Sequence, residues 1–127
     1  MDTQKRHSRK RDAILGALQA TKEHPSAEML YNELKPTVPD LSLATVYRNL
    51  AMFREEHAVR GVCTVDGQER FDACVADHPH FVCTECGRVS DLDPACVSLD
   101  RSAIEAASGG IVRAADMVFY GVCAECK

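Results

Sequence analysis

With 127 residues, 46% of them hydrophobic and 27% charged, the chain has room for one ordinary domain or two small ones. No run nears the roughly 18 apolar residues of a membrane span, and Met1 leads into Asp2, Gln4, Lys5 and Arg6 rather than an apolar stretch, so a membrane or exported protein is not expected and the cytoplasm is. The net charge of −4 is uneven, with ten Lys/Arg against eight Asp/Glu in residues 1–60 and five against eleven in residues 61–127.

The basic run Lys5, Arg6, Arg9, Lys10 and Arg11 suits DNA phosphates or a solvated arm equally well. It leads into a helix whose apolar face holds Ile14, Leu15 and Leu18. His24-Pro25-Ser26 interrupts that helix, because proline disfavours helical backbone at the residue before it. Ser26 then caps a second helix facing inward with Ala27, Leu30, Tyr31 and Leu34, and the two prolines of Lys35–Asp40 predict a loop. Ser42 caps a third helix, expected to run to about Glu56, with Leu43, Val46, Leu50 and Phe53 on one stripe. Ala44, Thr45, Arg48 and Met52 fall on the opposite face, with Tyr47 on the flank.

Residues 58–64 and 68–73 read as two strands around Asp66-Gly67, a hairpin-turn dipeptide. Three helices and a hairpin form the order of a winged helix-turn-helix, with the third helix in the recognition position. From His78 the pattern changes. Phe81-Val82 and Val89 suggest two strands, Cys96–Ala107 a helix behind Pro94 that Gly109-Gly110 ends, and Ile111–Val122 a last strand. The expected class is therefore α+β. A winged-helix domain over residues 1–75 includes the hinge, and a small α/β domain covers residues 76–127.

Seven cysteines without an export signal argue against a disulfide framework. Cys83-Thr84-Glu85-Cys86 and Cys123-Ala124-Glu125-Cys126 are two CxxC knuckles, and four thiolates satisfy a tetrahedral structural Zn²⁺. Thioredoxin-like redox chemistry wants CxxC at a helix start within a βαβ unit, a context neither knuckle has. Gly87 gives the first knuckle a residue tolerant of positive φ. Cys63, Cys74 and Cys96 belong to no motif, and the expectation for each is a small buried hydrophobe.

His78 and His80 stand two apart, so on a strand both imidazoles share a face, and Asp72 and Asp91 lie nearby in sequence. Imidazole and carboxylate suit Fe²⁺, Mn²⁺ or Zn²⁺. The spacing alone fits a ligand set and ordinary surface chemistry alike.

Five segments taken together, His24-Pro25-Ser26-Ala27-Glu28, Ser42–Leu50, Arg70-Phe71-Asp72, His78-x-His80-x-x-Cys83-x-x-Cys86-Gly87 and Tyr120-Gly121-x-Cys123-x-x-Cys126, resemble the ferric-uptake-regulator superfamily, in order and over nearly the whole chain. The resemblance is greatest to its peroxide-responsive repressors. In those the regulatory ion takes three His and two Asp, which implies His24, Asp72, His78, His80 and Asp91 here. Iron-uptake repressors carry Glu at the positions of Asp72 and Asp91, and a further His where Ala115 stands.

The resemblance implies a homodimer on double-stranded operator DNA, with a dimerisation domain at the C-terminal end. It implies structural Zn²⁺, a regulatory Fe²⁺ or Mn²⁺, and contacts to DNA from Thr45, Tyr47 and Arg48. It also implies iron-driven oxidation of His24 or His78 by hydrogen peroxide, which acts as a signal and not as a turned-over substrate. A regulator of the same superfamily that senses Fe, Mn, Zn or Ni supply is the alternative. An enzyme is not expected, since no separate acid/base or substrate motif accompanies the metal ligands.

Overall fold

The computed structural model describes residues 2–74 and 78–127, with side chains from residue 9 onward. It divides into two compact units, Met1–Val75 and Ala76–Lys127. Among the described residues no helix is long and apolar enough to cross a membrane.

The first unit runs α1 (Asp2–Ala20), α2 (Ala27–Leu34), α3 (Leu43–Glu55), β1 (Arg60–Val65) and β2 (Gln68–Asp72). Ser26 and Ser42 cap α2 and α3 as their sequence positions predict. Ser26 Oγ accepts from the Met29 amide at 3.2 Å, and Ser42 Oγ from the Thr45 amide at 3.1 Å. Ile14, Leu18, Leu30, Val46, Leu50 and Phe53 converge from the three helices, and Val59 and Phe71 close the core from the hairpin side. Full burial of each such side chain contributes about 1.5–3 kcal/mol, enough in sum to hold this unit as a packed body.

Asp66 (φ 51°) and Gly67 (φ 78°) both take left-handed backbone, so the hairpin closes in the turn geometry that Asp-Gly favours. Its antiparallel register, Arg60 opposite Asp72 and Val65 opposite Gln68, is interrupted by a bulge between Gly61 and Cys63. Three helices and this two-stranded wing make the unit a winged helix-turn-helix.

Part of the basic arm is spoken for. Lys5 and Arg6 lie outside the described side chains. Lys10 pairs with Asp40 at 3.4 Å, and Arg11 with Glu56 at 2.7 Å while lying over the Phe53 ring. These contacts turn the arm's middle into the outer face of α1 rather than a loose tail.

The second unit contains β3 (His80–Cys83), β4 (Val89–Asp91), a 3-10 turn (Pro94–Cys96), α4 (Arg101–Ser108) and β5 (Val118–Gly121). Its sheet runs β4-β3-β5, with β3 antiparallel to β4 and parallel to β5. A parallel pair needs a long crossover, and the stretch containing α4 supplies it.

Two boundaries correct the sequence reading. The helix expected from Cys96 begins only at Arg101, because Asp100 Oδ1 caps it at the Ala103 amide, and Cys96 ends the separate 3-10 turn. The strand expected from Ile111 is regular only over Val118–Gly121, since β3 offers partners to those four residues alone. Gly109 terminates α4 in left-handed backbone, as its position predicts.

Candidate metal centres

Among the described residues the second unit buries few apolar side chains, namely Val82, Cys83 and Val89 beside Pro79 and His80. Two valines contribute only a few kcal/mol, well short of holding some fifty residues in one conformation. Its organisation centres on sulfur instead. The Sγ atoms of Cys83, Cys86, Cys123 and Cys126 all lie within 4.8 Å of one another, with Cys86 and Cys123 at 3.9 Å. Four sulfurs bound tetrahedrally at about 2.3 Å stand about 3.8 Å apart, so the set fits Zn²⁺ without rearranging the fold.

Strand pairing brings the two knuckles together. β3 ends on Cys83 opposite Gly121 of β5, and Thr84 closes the join by donating its amide to the Gly121 carbonyl at 2.8 Å. Each knuckle turns back on itself, with Gly87 N donating to Cys83 O at 2.9 Å and Cys126 N to Cys123 O at 3.1 Å. Gly87 sits at φ 77°, the left-handed backbone expected of it.

The amides of Cys123 and Cys86 both point at Cys83 Sγ, at 3.4 and 3.5 Å. These donors hold its thiol down to about 6, while hydrogen bonding to Cys123 and the neighbouring sulfurs pushes Cys126 up to about 12. Four thiolates so close repel one another in the absence of a cation. A divalent ion removes that conflict, which is the chemistry expected of a zinc knuckle pair.

Cys63, Cys74 and Cys96 stand outside this set. Cys63 is half-buried on β1, and burial pushes its thiol up. Cys74 and Cys96 are exposed, which corrects the expectation that all three would be buried.

Imidazole and carboxylate groups form a clustered set within each unit. In the first, His24 is 2% exposed and its Nε2 stands 3.2 Å from Asp72 Oδ2. In the second, Asp91 Oδ1 stands 2.9 Å from His78 Nε2 and 3.2 Å from His80 Nε2, and the two rings are 4.3 Å apart. Register explains the latter set, since His80 faces Asp91 across β3 and β4. Ligands at about 2.1 Å on adjacent corners of an octahedron are about 3.0 Å apart, so the three nitrogen–oxygen separations suit two donors sharing an ion.

His24 is held at φ 56°, left-handed backbone that a non-glycine residue adopts at a cost of about 1–3 kcal/mol. Such strain persists only where surroundings enforce it. Here Arg70, on β2, donates Nη2 to the Glu23 carbonyl at 2.8 Å and Nε to the His24 carbonyl, and Phe71 N donates to Pro25 O at 3.0 Å. In the sequence Arg70 stands only as part of the Arg70-Phe71-Asp72 motif. A charged residue on a strand two places before a ligand was the available signal.

On α3 the expected DNA-facing residues divide. Tyr47 and Arg48 are exposed. Thr45 is 8% exposed, because its hydroxyl lies 2.8 Å from Ser42 Oγ and accepts from Arg48 Nη2 at 3.1 Å. The outward placement expected for Thr45 is thus corrected, and the residue supports Arg48 from below. Tyr47 OH donates to Glu28 Oε1 of α2 at 2.5 Å, a bond that raises the hydroxyl above its usual range.

The sequence profile of the ferric uptake regulator family matches residues 2–120, so the chain belongs to that family. It is 36% identical over 118 residues to the peroxide operon regulator of Bacillus subtilis, covering 92% of this chain and 81% of that protein. To the peroxide-responsive repressor PerR of Staphylococcus aureus it is 34% identical, covering 92% and 79%. Among solved structures, the Campylobacter jejuni peroxide stress regulator superposes with a TM-score of 0.83 at 30% identity, covering 98% of this chain and 94% of that one.

Replacement of Cys83 by Ser removes the sulfur that both knuckle amides address. Metal analysis is expected to find the zinc content falling well below one per chain, and calorimetry to find the second unit's cooperative melting lost. Zinc binding in comparable small motifs contributes about 10–16 kcal/mol, far more than this unit's apolar burial. An unchanged melting profile in a zinc-free C83S variant contradicts the structural role.

Proposed function

We propose that the chain is a metal-dependent, DNA-binding transcriptional repressor that senses hydrogen peroxide. Cys83, Cys86, Cys123 and Cys126 hold structural Zn²⁺, and His24, Asp72, His78, His80 and Asp91 together hold a regulatory Fe²⁺ or Mn²⁺. The observation that carries this reading is the pair of imidazole–carboxylate sets, one in each compact unit, with donor spacings suited to a shared ion. The peroxide regulators to which the chain is similar support it. So do the two aspartates, Asp72 and Asp91, whose short side chains distinguish this set from a glutamate-containing one.

In this reading a single ion drawing ligands from both units is bound best in one arrangement of the protein. Its differential affinity for that arrangement is what favours operator binding. Regulators of this family bind operator DNA as dimers, and they act by occupancy rather than turnover. Leu99, Ile104, Ile111, Phe119, Tyr120 and Val122 are exposed apolar residues on the second unit, apolar area that a second copy could cover in part. Two winged helices related by a two-fold axis match a pseudo-palindromic site, and a repressor of this kind acts where the DNA is, in the cytoplasm.

Tyr47 and Arg48 are the residues proposed to meet base edges or phosphates, with Thr45 and Glu28 fixing their directions. Arg48→Ala is expected to weaken operator binding by about 1–3 kcal/mol while leaving non-specific DNA binding nearly unchanged. Titration of labelled operator and a scrambled duplex measures both. Equal losses on the two duplexes mean a phosphate contact only.

Fe²⁺ held by His24, Asp72, His78, His80 and Asp91 would supply the one-electron chemistry that opens the O–O bond of peroxide, which Mn²⁺ would not. The two electrons that reduce the peroxide come in sum from the imidazole that is oxidised. One peroxide oxygen ends on an imidazole carbon of His24 or His78 and the other leaves as water. An oxidised imidazole no longer completes the ligand set, and the operator is released once. The iron-loaded protein is therefore expected to lose operator binding at modest peroxide while the manganese form retains it. Mass spectrometry should find one added oxygen on a peptide holding His24 or His78, with the four zinc cysteines intact. An iron form indifferent to peroxide, with metal dose alone setting DNA binding, makes the protein a metal-supply regulator instead.

A further inference from the structure

Arg70 belongs to neither ligand set, yet its placement is not that of a surface cation. It is 9% exposed in the middle of β2, two residues before Asp72. Burying a guanidinium is unfavourable unless its donors are satisfied, and two of them are spent on successive backbone carbonyls more than forty residues away in sequence. Nη2 donates to Glu23 O at 2.8 Å and Nε to His24 O. The strand backbone completes the join, with Phe71 N on Pro25 O at 3.0 Å and a bridge between Arg70 and Ser26.

The segment so held is one that does not hold itself. His24 combines left-handed backbone (φ 56°) with a proline after it, two constraints that narrow the backbone it can adopt. The direction of its imidazole follows from that backbone, because reverting to negative φ swings Cβ away. In the conformation Arg70 enforces, Nε2 stands 3.2 Å from Asp72 Oδ2.

We propose that Arg70 is the positioning residue of the regulatory metal site, fixing the left-handed turn at His24 and thereby aiming that imidazole at the ion. The proposal rests on the reading of His24 as a ligand. Arginine suits the task because its planar fork reaches two neighbouring carbonyls at fixed angles, whereas a lysine ammonium reaches one without fixing the plane. Because the same residue lies in the wing, the His24–Asp72 pair is carried as one piece with the hairpin.

The test uses zinc-loaded, full-length protein in a double-mutant cycle, with Mn²⁺ affinity read from the paramagnetic resonance of free Mn²⁺ and folding read from thermal melting. Arg70→Met is expected to weaken Mn²⁺ about 10–100-fold, the range seen when groups that orient metal ligands are removed, with Arg70→Lys between it and the parent. In a His24→Ala background, changing Arg70 should cost no more than about twofold further, since there is no imidazole left to aim. Should Arg70→Met fail to fold, Arg70→Lys keeps the buried charge and carries the same cycle. Additive losses in the two backgrounds, or unchanged Mn²⁺ affinity in a folded Arg70 variant, overturn the proposal. If His24→Ala alone leaves Mn²⁺ affinity unchanged, the ligand reading falls and takes the positioning role with it.

Discussion

The contact between the segment 23–26 and strand β2 is the constraint on which the first unit's chemistry depends. A helix ends at Ala20, a proline forbids its simple continuation, and the intervening backbone would otherwise be a surface loop with unpaired carbonyls. Instead the strand takes up those carbonyls through Arg70 and the Phe71 amide. One consequence is local, the capped start of α2 at Ser26. The other is long-range, His24 and Asp72 meeting although 48 residues separate them. A strained histidine, a buried arginine and an aspartate at a strand end are thus parts of one device.

The second unit is organised by a different force. Among its described residues little apolar surface is buried within one chain, and repulsion among four converging sulfurs opposes the fold when no cation is present. A divalent ion reverses the sign of that term. The β3–β5 pairing that aligns Cys83 with Gly121 and the N–H donors aimed at Cys83 Sγ prepare the site for such an ion. His80 rides on β3 with Cys83, and Asp91 faces it from the neighbouring β4, so the sheet that carries the sulfur site also carries the imidazole–carboxylate set.

Much of this was legible in the sequence where the signal is local. Ser26 and Ser42 announce helix starts, Asp66-Gly67 a hairpin turn, and the paired CxxC spacing a tetrahedral sulfur site. The spacing of His78 and His80 leaves a ligand pair and ordinary surface chemistry equally open, and the fold brings both imidazoles to Asp91. What escaped was what tertiary contact decides. Periodicity turned Thr45 outward, but hydrogen bonds to Ser42 and Arg48 draw it in. Propensity extended a helix to Cys96 and a strand to Ile111, but a cap at Asp100 and the length of β3 set the real limits. A charge on a strand two places before Asp72 marks Arg70 in the sequence, but not as a backbone clamp, since no local pattern reveals which carbonyls a side chain will meet.

In the proposed repressor, metal occupancy and operator binding are energetically one equilibrium. Linkage then requires that the factor by which Mn²⁺ tightens operator binding equal the factor by which operator tightens Mn²⁺ binding. Both are measurable by calorimetric titration of zinc-loaded dimer, with Mn²⁺ in the presence and absence of operator and with operator in the presence and absence of Mn²⁺. Equal factors of about 5–150, the span of typical coupling energies, are expected. A factor of one in both titrations, with Mn²⁺ still bound, contradicts the coupling.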